Sequence, residues 1–154
     1  MNAIRALCIL AVLLVFTTSC ATVQTYPGEK LPQDRVARID RSAIHRHFFY
    51  NVIINVAEVD GLEATSVQSE YEVLPGEHTL YVTCHLSYHL LVTPAMASKQ
   101  FIITPGNKLT FRAEAGRRYK IQGEDVGELF FIWLEGAETG SVVAGRKPEP
   151  GTQR

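Results

Sequence analysis

The sequence predicts an all-β protein: a small antiparallel β-sandwich, or alternatively a partly open β-barrel, after an N-terminal signal helix. Three observations predict it. Leu80, Val82, Cys84 and Leu86 alternate with Thr79, Tyr81, Thr83 and His85, the two-residue period of a strand buried on one face. The turn pairs Asp60-Gly61, Pro75-Gly76 and Pro105-Gly106 punctuate the chain at short intervals. From Val36 on, the β-branched and aromatic runs are short and end at such turns. A chain of 154 residues suits one modest domain. With 46% apolar residues, 20% charged residues and a formal net charge of -1, the composition is globular and carries no basic excess for nucleic acid.

The first segment is of another kind. Met1 to Ala6 carries one cation, Arg5, and Leu7 to Phe16 is an uninterrupted apolar run. Thr17, Thr18 and Ser19 follow, then Cys20. A charged start, a short apolar core and a small-residue end describe a secretory signal. Ten residues of helix span only ~15 Å, half of a bilayer's hydrocarbon core. The order small, small, Cys resembles the lipobox of bacterial lipoproteins, with Thr17 where that family usually carries Leu. The resemblance implies cleavage between Ser19 and Cys20, and a diacylglycerol and usually a further acyl chain on Cys20. Ala21 after the cysteine resembles the outer-membrane sorting signal, which implies a periplasm-facing domain. Residues 20–35, with Pro27-Gly28 and Pro32 and no apolar period, read as a flexible tether. Once Cys8 leaves with the signal, residues 1–19, Cys84 is the remaining free thiol, best read as a packing residue.

The strands follow in order over 36–145. "VARID" alternates, and "FFYNVIINVAEVDG" is a β-branched and aromatic run closed by Asp60-Gly61. Tyr71 and Val73 end a strand before the Pro75-Gly76 turn, and the alternating run through Leu86 follows. "KQFIITPGN" runs into the next Pro-Gly turn. "KLTFRAEAG" alternates Leu109, Phe111 and Ala113 against polar residues, and Gly116 turns into "RRYKIQG". "ELFFIWLEG" is dense enough to be covered on both faces, and "TGSVVAG" closes the domain. Residues 146–154 read as a disordered tail.

Val59, Asp60 and Gly61, with Val73, Leu74, Pro75, Gly76, Glu77, His78, Leu80 and Val82, resemble the small β-sandwich domains of the PEGA type. The segments 111–121 and 139–145 resemble parts of small uncharacterised proteobacterial lipoproteins. The resemblance implies a non-catalytic adhesion, spacer or envelope-associated module.

Several constellations invite chemistry. His45 and His47 share a strand face, as do His85 and His89; a metal-binding alternative would use His85 and His89. The plainer expectation is that the histidines stand on solvent faces. Glu70 and Glu72 share a strand face and read as solvated, without the buried partner that paired-carboxylate chemistry needs. Arg112, Arg117, Arg118 and Lys120 form a local cationic patch that anionic headgroups or glycans would meet. Phe130, Phe131 and Trp133 read as core or inter-sheet packing, with an exposed sugar-binding platform as the alternative. No nucleophile elbow, phosphate loop or His-Glu-x-x-His stretch is present. The sequence thus predicts a lipid-anchored, non-enzymatic envelope module without cofactors. Its partners are the membrane and another envelope protein or a glycan. The alternative is a periplasmic protein that binds a metal or small ligand through its histidines or an aromatic strand face.

Overall fold

Two β-sheets carry the chain in a computed structural model that describes residues 22–46, 50–64, 70–88, 102–104 and 106–149. The signal segment with Ser19, and Cys20, His47 and His89, lie outside the described residues. The strands are β1 (Thr22–Gln24), β2 (Ala37–Asp40), β3 (Ser42–Arg46), β4 (Tyr50–Val59), β5 (Leu62–Glu63), β6 (Glu70–Val73), β7 (Gly76–Tyr88), β8 (Ile102–Thr104), β9 (Lys108–Ala113), β10 (Arg118–Val126), β11 (Leu129–Gly136) and β12 (Val142–Gly145). No helix occurs among the described residues.

One sheet runs β1-β6-β2-β10-β11-β12, with β8 also on β11; the other runs β3-β4-β7-β9, with β5 on β4. The fold is all-β, a sandwich that curls towards a half-barrel. Their facing sides supply one core. Val52, Ile54, Val56, Leu80, Val82, Leu109 and Phe111 meet Ile39, Tyr71, Val73, Tyr119, Ile121, Phe130, Ile132 and Leu134. Full burial of one such side chain contributes about 1.5–3 kcal/mol.

The period-two pattern made these faces legible. β9 buries Leu109, Phe111 and Ala113 and exposes the residues between them. β11 buries every residue from Phe130 to Leu134, as a strand covered on both faces must. Asp60 and Gly61 both hold positive φ, 53° and 80°. Two left-handed residues in succession close the β4–β5 hairpin with the twist that antiparallel strands favour.

The Pro-Gly pairs do something the sequence did not show. β6 lies in the first sheet and β7 in the second, so Pro75-Gly76 is a corner between sheets. β8 and β9 are likewise split across Gly106, and β2 and β3 across Arg41. Because the chain keeps changing sheets, strands distant in sequence become neighbours. β1 with β6, β2 with β10 and β8 with β11 pair in parallel.

The expected tether, residues 20–35, is corrected from residue 22 on, where the structure describes it. Thr22–Gln24 form β1 on the edge of β6, and Tyr26 and Val36 are buried. The Thr25 N–H and hydroxyl both donate to the Glu72 carbonyl, each at 3.0 Å. The Gln24 amide donates to the Tyr26 and Gly28 carbonyls at 2.7 and 2.8 Å, and the Leu31 N–H donates to the Tyr26 hydroxyl at 3.1 Å. The two prolines and the glycine that suggested a loose chain instead let it fold back over the sheet. The expected tail is also seated where it is described. The Arg146 N–H donates to the Ile132 carbonyl at 3.1 Å.

Candidate functional site

The ionisable groups singled out in the sequence are dispersed over the two sheets. His78 begins β7 just after the Pro75-Gly76 corner. Its Nδ1 lies 2.6 Å from Asp60 Oδ2 and its Nε2 lies 2.6 Å from the Leu74 carbonyl. Asp60 Oδ1 accepts from the Thr79 N–H at 2.8 Å. The imidazole thus fastens the Asp60-Gly61 hairpin to the inter-sheet corner. Both of its nitrogens are engaged there, and the ring is a brace with no nitrogen left for a ligand.

His45 is also engaged, which corrects its reading as a residue on a solvent face. Its Nε2 stands 3.3 Å from Asp125 Oδ1, and the Tyr50 hydroxyl donates to Asp125 Oδ2 at 3.2 Å. Its ring meets Phe130 edge-on at 6.4 Å between centroids. This cluster ties β3 to the end of β10. His85 is exposed, as expected for a surface strand position. It lines a shallow depression of about 360 Å³ with Arg41, Asn55, Glu58, Glu63 and Thr83. Among the described residues no group of three His, Cys, Asp or Glu side chains is placed to hold a metal ion. The partner proposed for His85, His89, lies outside the described residues.

The cationic patch is corrected in its charge. Arg112, Arg117 and Arg118 line one groove of about 130 Å³, but Glu114 and Glu138 line it too. Arg117 pairs with Glu114 at 3.6 Å. Arg118 pairs with Glu70 at 2.6 Å and with Asp40 at 2.9 Å. The hydrogen bond to Asp40 raises the Arg118 pKa above its ordinary value; burial opposes this, and the charges of Asp40, Glu70 and Glu138 add to it. The arginine is spent on joining β10, β2 and β6. Arg112 makes no ion pair among the described residues, and Lys120 stands outside the groove. The signal for this neutralisation was Asp40 and Glu70, whose strands pair in register with each other, a relation no sequence spacing announces.

Both acids read as solvated are corrected: Glu70 is paired with Arg118, and Glu72 is buried. Among the described residues Glu72 is the buried charged one, 2% exposed. Lys30 Nζ reaches its Oε1 at 3.5 Å, while its Oε2 is buried without a hydrogen-bond partner. The residue that looked solvated lies under the folded-back segment 22–35, part of the stretch the sequence presented as a tether.

Cys84 is half-buried at the core's margin, and burial pushes its thiol up to about 11. At neutral pH it is a thiol with little nucleophilic character. Burial also raises the Tyr71 phenol, against the opposing pull of Arg41. Phe130 lies in the core, whereas Phe131 and Trp133 are buried on the far face of β11. There Arg146 stands over Phe131 at 5.9 Å and Lys147 over Trp133 at 5.5 Å. The Trp133 indole N–H donates to Glu135 at 3.0 Å.

The geometry therefore offers bracing contacts, one mixed-charge groove and one shallow depression. Comparison of the chain with protein-family models, with curated proteins and with solved structures returned no match.

Proposed function

We propose that this chain is a lipid-anchored bacterial envelope protein whose β-sandwich is a non-enzymatic structural or interaction module. The observation that carries the reading is the order of its first residues. One cation and a ten-residue apolar run lead to Thr17, Thr18, Ser19 and Cys20, and the first strand among the described residues begins at Thr22. Acylation of Cys20 supplies the anchor; each buried methylene contributes ~0.8 kcal/mol, and two chains give stable attachment. The resemblance to PEGA-type domains supports a non-catalytic module, and Ala21, which resembles the outer-membrane sorting signal, supports a domain facing the periplasm from the outer membrane.

The way the polar groups are used supports the non-enzymatic reading. His78, His45, Arg118 and Glu72 each hold one part of the fold to another. Catalysis asks for groups that converge on a space where a reacting atom sits. These side chains are each spent on a separate structural partner: Asp60, Asp125, Asp40 with Glu70, and Lys30. The groove between Arg112 and Thr139 is the surface on which a partner with mixed charge would settle.

Expression of the full chain with Cys20→Ala in a bacterial host tests the anchor. The unaltered chain is expected in the membrane fraction, resistant to high-salt washing. The variant is expected to leave it. Equal fractionation of the two contradicts the reading.

A further inference from the structure

The lipid reading of Cys20 and the docked segment 22–36 together have a geometric consequence. A free tether over residues 20–35 would let the domain stand as far as ~50 Å from its anchor. The structure removes that freedom. β1 starts at Thr22, and consecutive Cα atoms are 3.8 Å apart. The Cα atoms of Cys20 and Thr22 are therefore separated by at most ~7.6 Å.

We propose that residues 22–36 form a docked strap that holds the sandwich directly against the phospholipid headgroup surface, with Ala21 as the whole spacer. The proposal rests on the lipid-anchored reading above. The partner is the bilayer's own headgroup layer, and the contact is set by covalent length. The proposal needs no basic patch; Arg117 and Arg118 are in any case paired with acids.

The strap is built to stay down. Its β1 ladder aligns Thr22, Val23 and Gln24 with Glu70, Tyr71 and Glu72. The Thr25 N–H and hydroxyl extend the pairing onto the Glu72 carbonyl. Tyr26 is buried and its hydroxyl closes the loop onto Leu31. Lys30 comes down on the buried Glu72 carboxylate at 3.5 Å. Lifting the strap would break each of these contacts and leave Glu72 without its cation. Val36, fully buried, pins the far end.

The single tryptophan, Trp133, makes the test direct. The full chain, extracted from membranes with its lipid, is reconstituted into phosphatidylethanolamine–phosphatidylglycerol vesicles carrying a trace of dansyl-labelled headgroups. Energy transfer from Trp133 to dansyl reads the distance of the domain from the surface. A second protein carries a flexible Gly-Ser insertion of about fifteen residues between Ala21 and Thr22, which adds ~20 Å of mean reach while leaving the strap intact. The unaltered chain is expected to show strong transfer, and the insertion variant roughly twofold less or lower. Tyr26→Ala with Lys30→Ala, checked for retained β-structure by circular dichroism, is expected to fall in the same direction. Transfer in the unaltered chain that already equals that of the insertion variant overturns the strap. Failure of the lipid reading gives a different result: the unaltered chain carries no acyl mass and does not float with the vesicles at all.

Discussion

His78 and Asp60 stand eighteen residues apart in sequence, and His78 Nδ1 meets Asp60 Oδ2 at 2.6 Å. With the second ring nitrogen on the Leu74 carbonyl, the contact joins a hairpin to the corner where the chain changes sheets. It is the point at which the Asp60-Gly61 turn and the segment from Leu74 to Thr79 become one structural unit. Asp60→Ala removes the acceptors of both His78 and the Thr79 N–H and replaces a residue that tolerates positive φ with one that does not. A loss of about 1–3 kcal/mol in urea unfolding is expected. Asp60→Asn keeps the turn preference and an acceptor, and is expected to lose less. A double-mutant cycle with His78→Ala gives the pair's coupling.

Gly123 faces the core between β4 and β11. A Cβ placed there would come 2.5 Å from Ile54 Cδ1 and 2.7 Å from the Phe130 ring. Gly123→Ala forces both neighbours off their packed positions, at a cost of about 1–3 kcal/mol. Gly123→Val is expected to cost more. Thermal unfolding followed by circular dichroism checks the order glycine, alanine, valine.

The Cys84 thiol gives a pH prediction. Its folded pKa, pushed by burial to about 11, lies above the ordinary value of 9.0. The folded state favours the neutral thiol, so this contribution to stability is full below pH 9 and is lost as pH rises towards 11. Chemical denaturation at a series of pH values should show the unaltered chain losing stability over that window more steeply than Cys84→Ala does. Tyr71, also raised by burial, contributes to the alkaline slope of both proteins and cancels in the comparison. Alkylation by iodoacetamide at pH 8 should be slow in the folded domain and fast after unfolding.

Lys30 and Glu72 give a prediction of sign. Lys30→Ala leaves a 2%-exposed carboxylate without its cation. Lys30 keeps most of its own surface in water, so the loss lies nearer that of a surface pair than a buried one, about 1–2 kcal/mol. Glu72→Gln added to Lys30→Ala is expected to recover stability, because the uncompensated charge is gone. Urea unfolding of the two single variants and the double variant measures this.

Much of the fold was legible because burial imposes a period of two. Leu109, Phe111 and Ala113 could be assigned to the core from alternation alone, and the double coverage of Phe130 to Leu134 from an unbroken apolar run. The corners were not legible. Pro75-Gly76 carries the same residues whether it closes a hairpin or turns the chain into another sheet, since local backbone geometry is indifferent to the partner. β1 was missed for a related reason. Three residues on a sheet edge, Thr22 to Gln24, draw their stability from β6 and from Tyr26 packing, and show no pattern of their own. The cationic patch misled because sequence shows the basic cluster and hides the acids, Asp40 and Glu70, that pairing brings across to Arg118. Glu72 misled because the segment that buries it resembled a linker.

The proposed lipid anchor makes Cys20 the acylated first residue of the mature protein. Intact mass measurement of the protein extracted from bacterial membranes tests it most directly. The expected mass is that of the chain from Cys20 to Arg154 plus one diacylglycerol and one further acyl chain. A mature chain of unmodified mass, or one that begins at another residue, contradicts it.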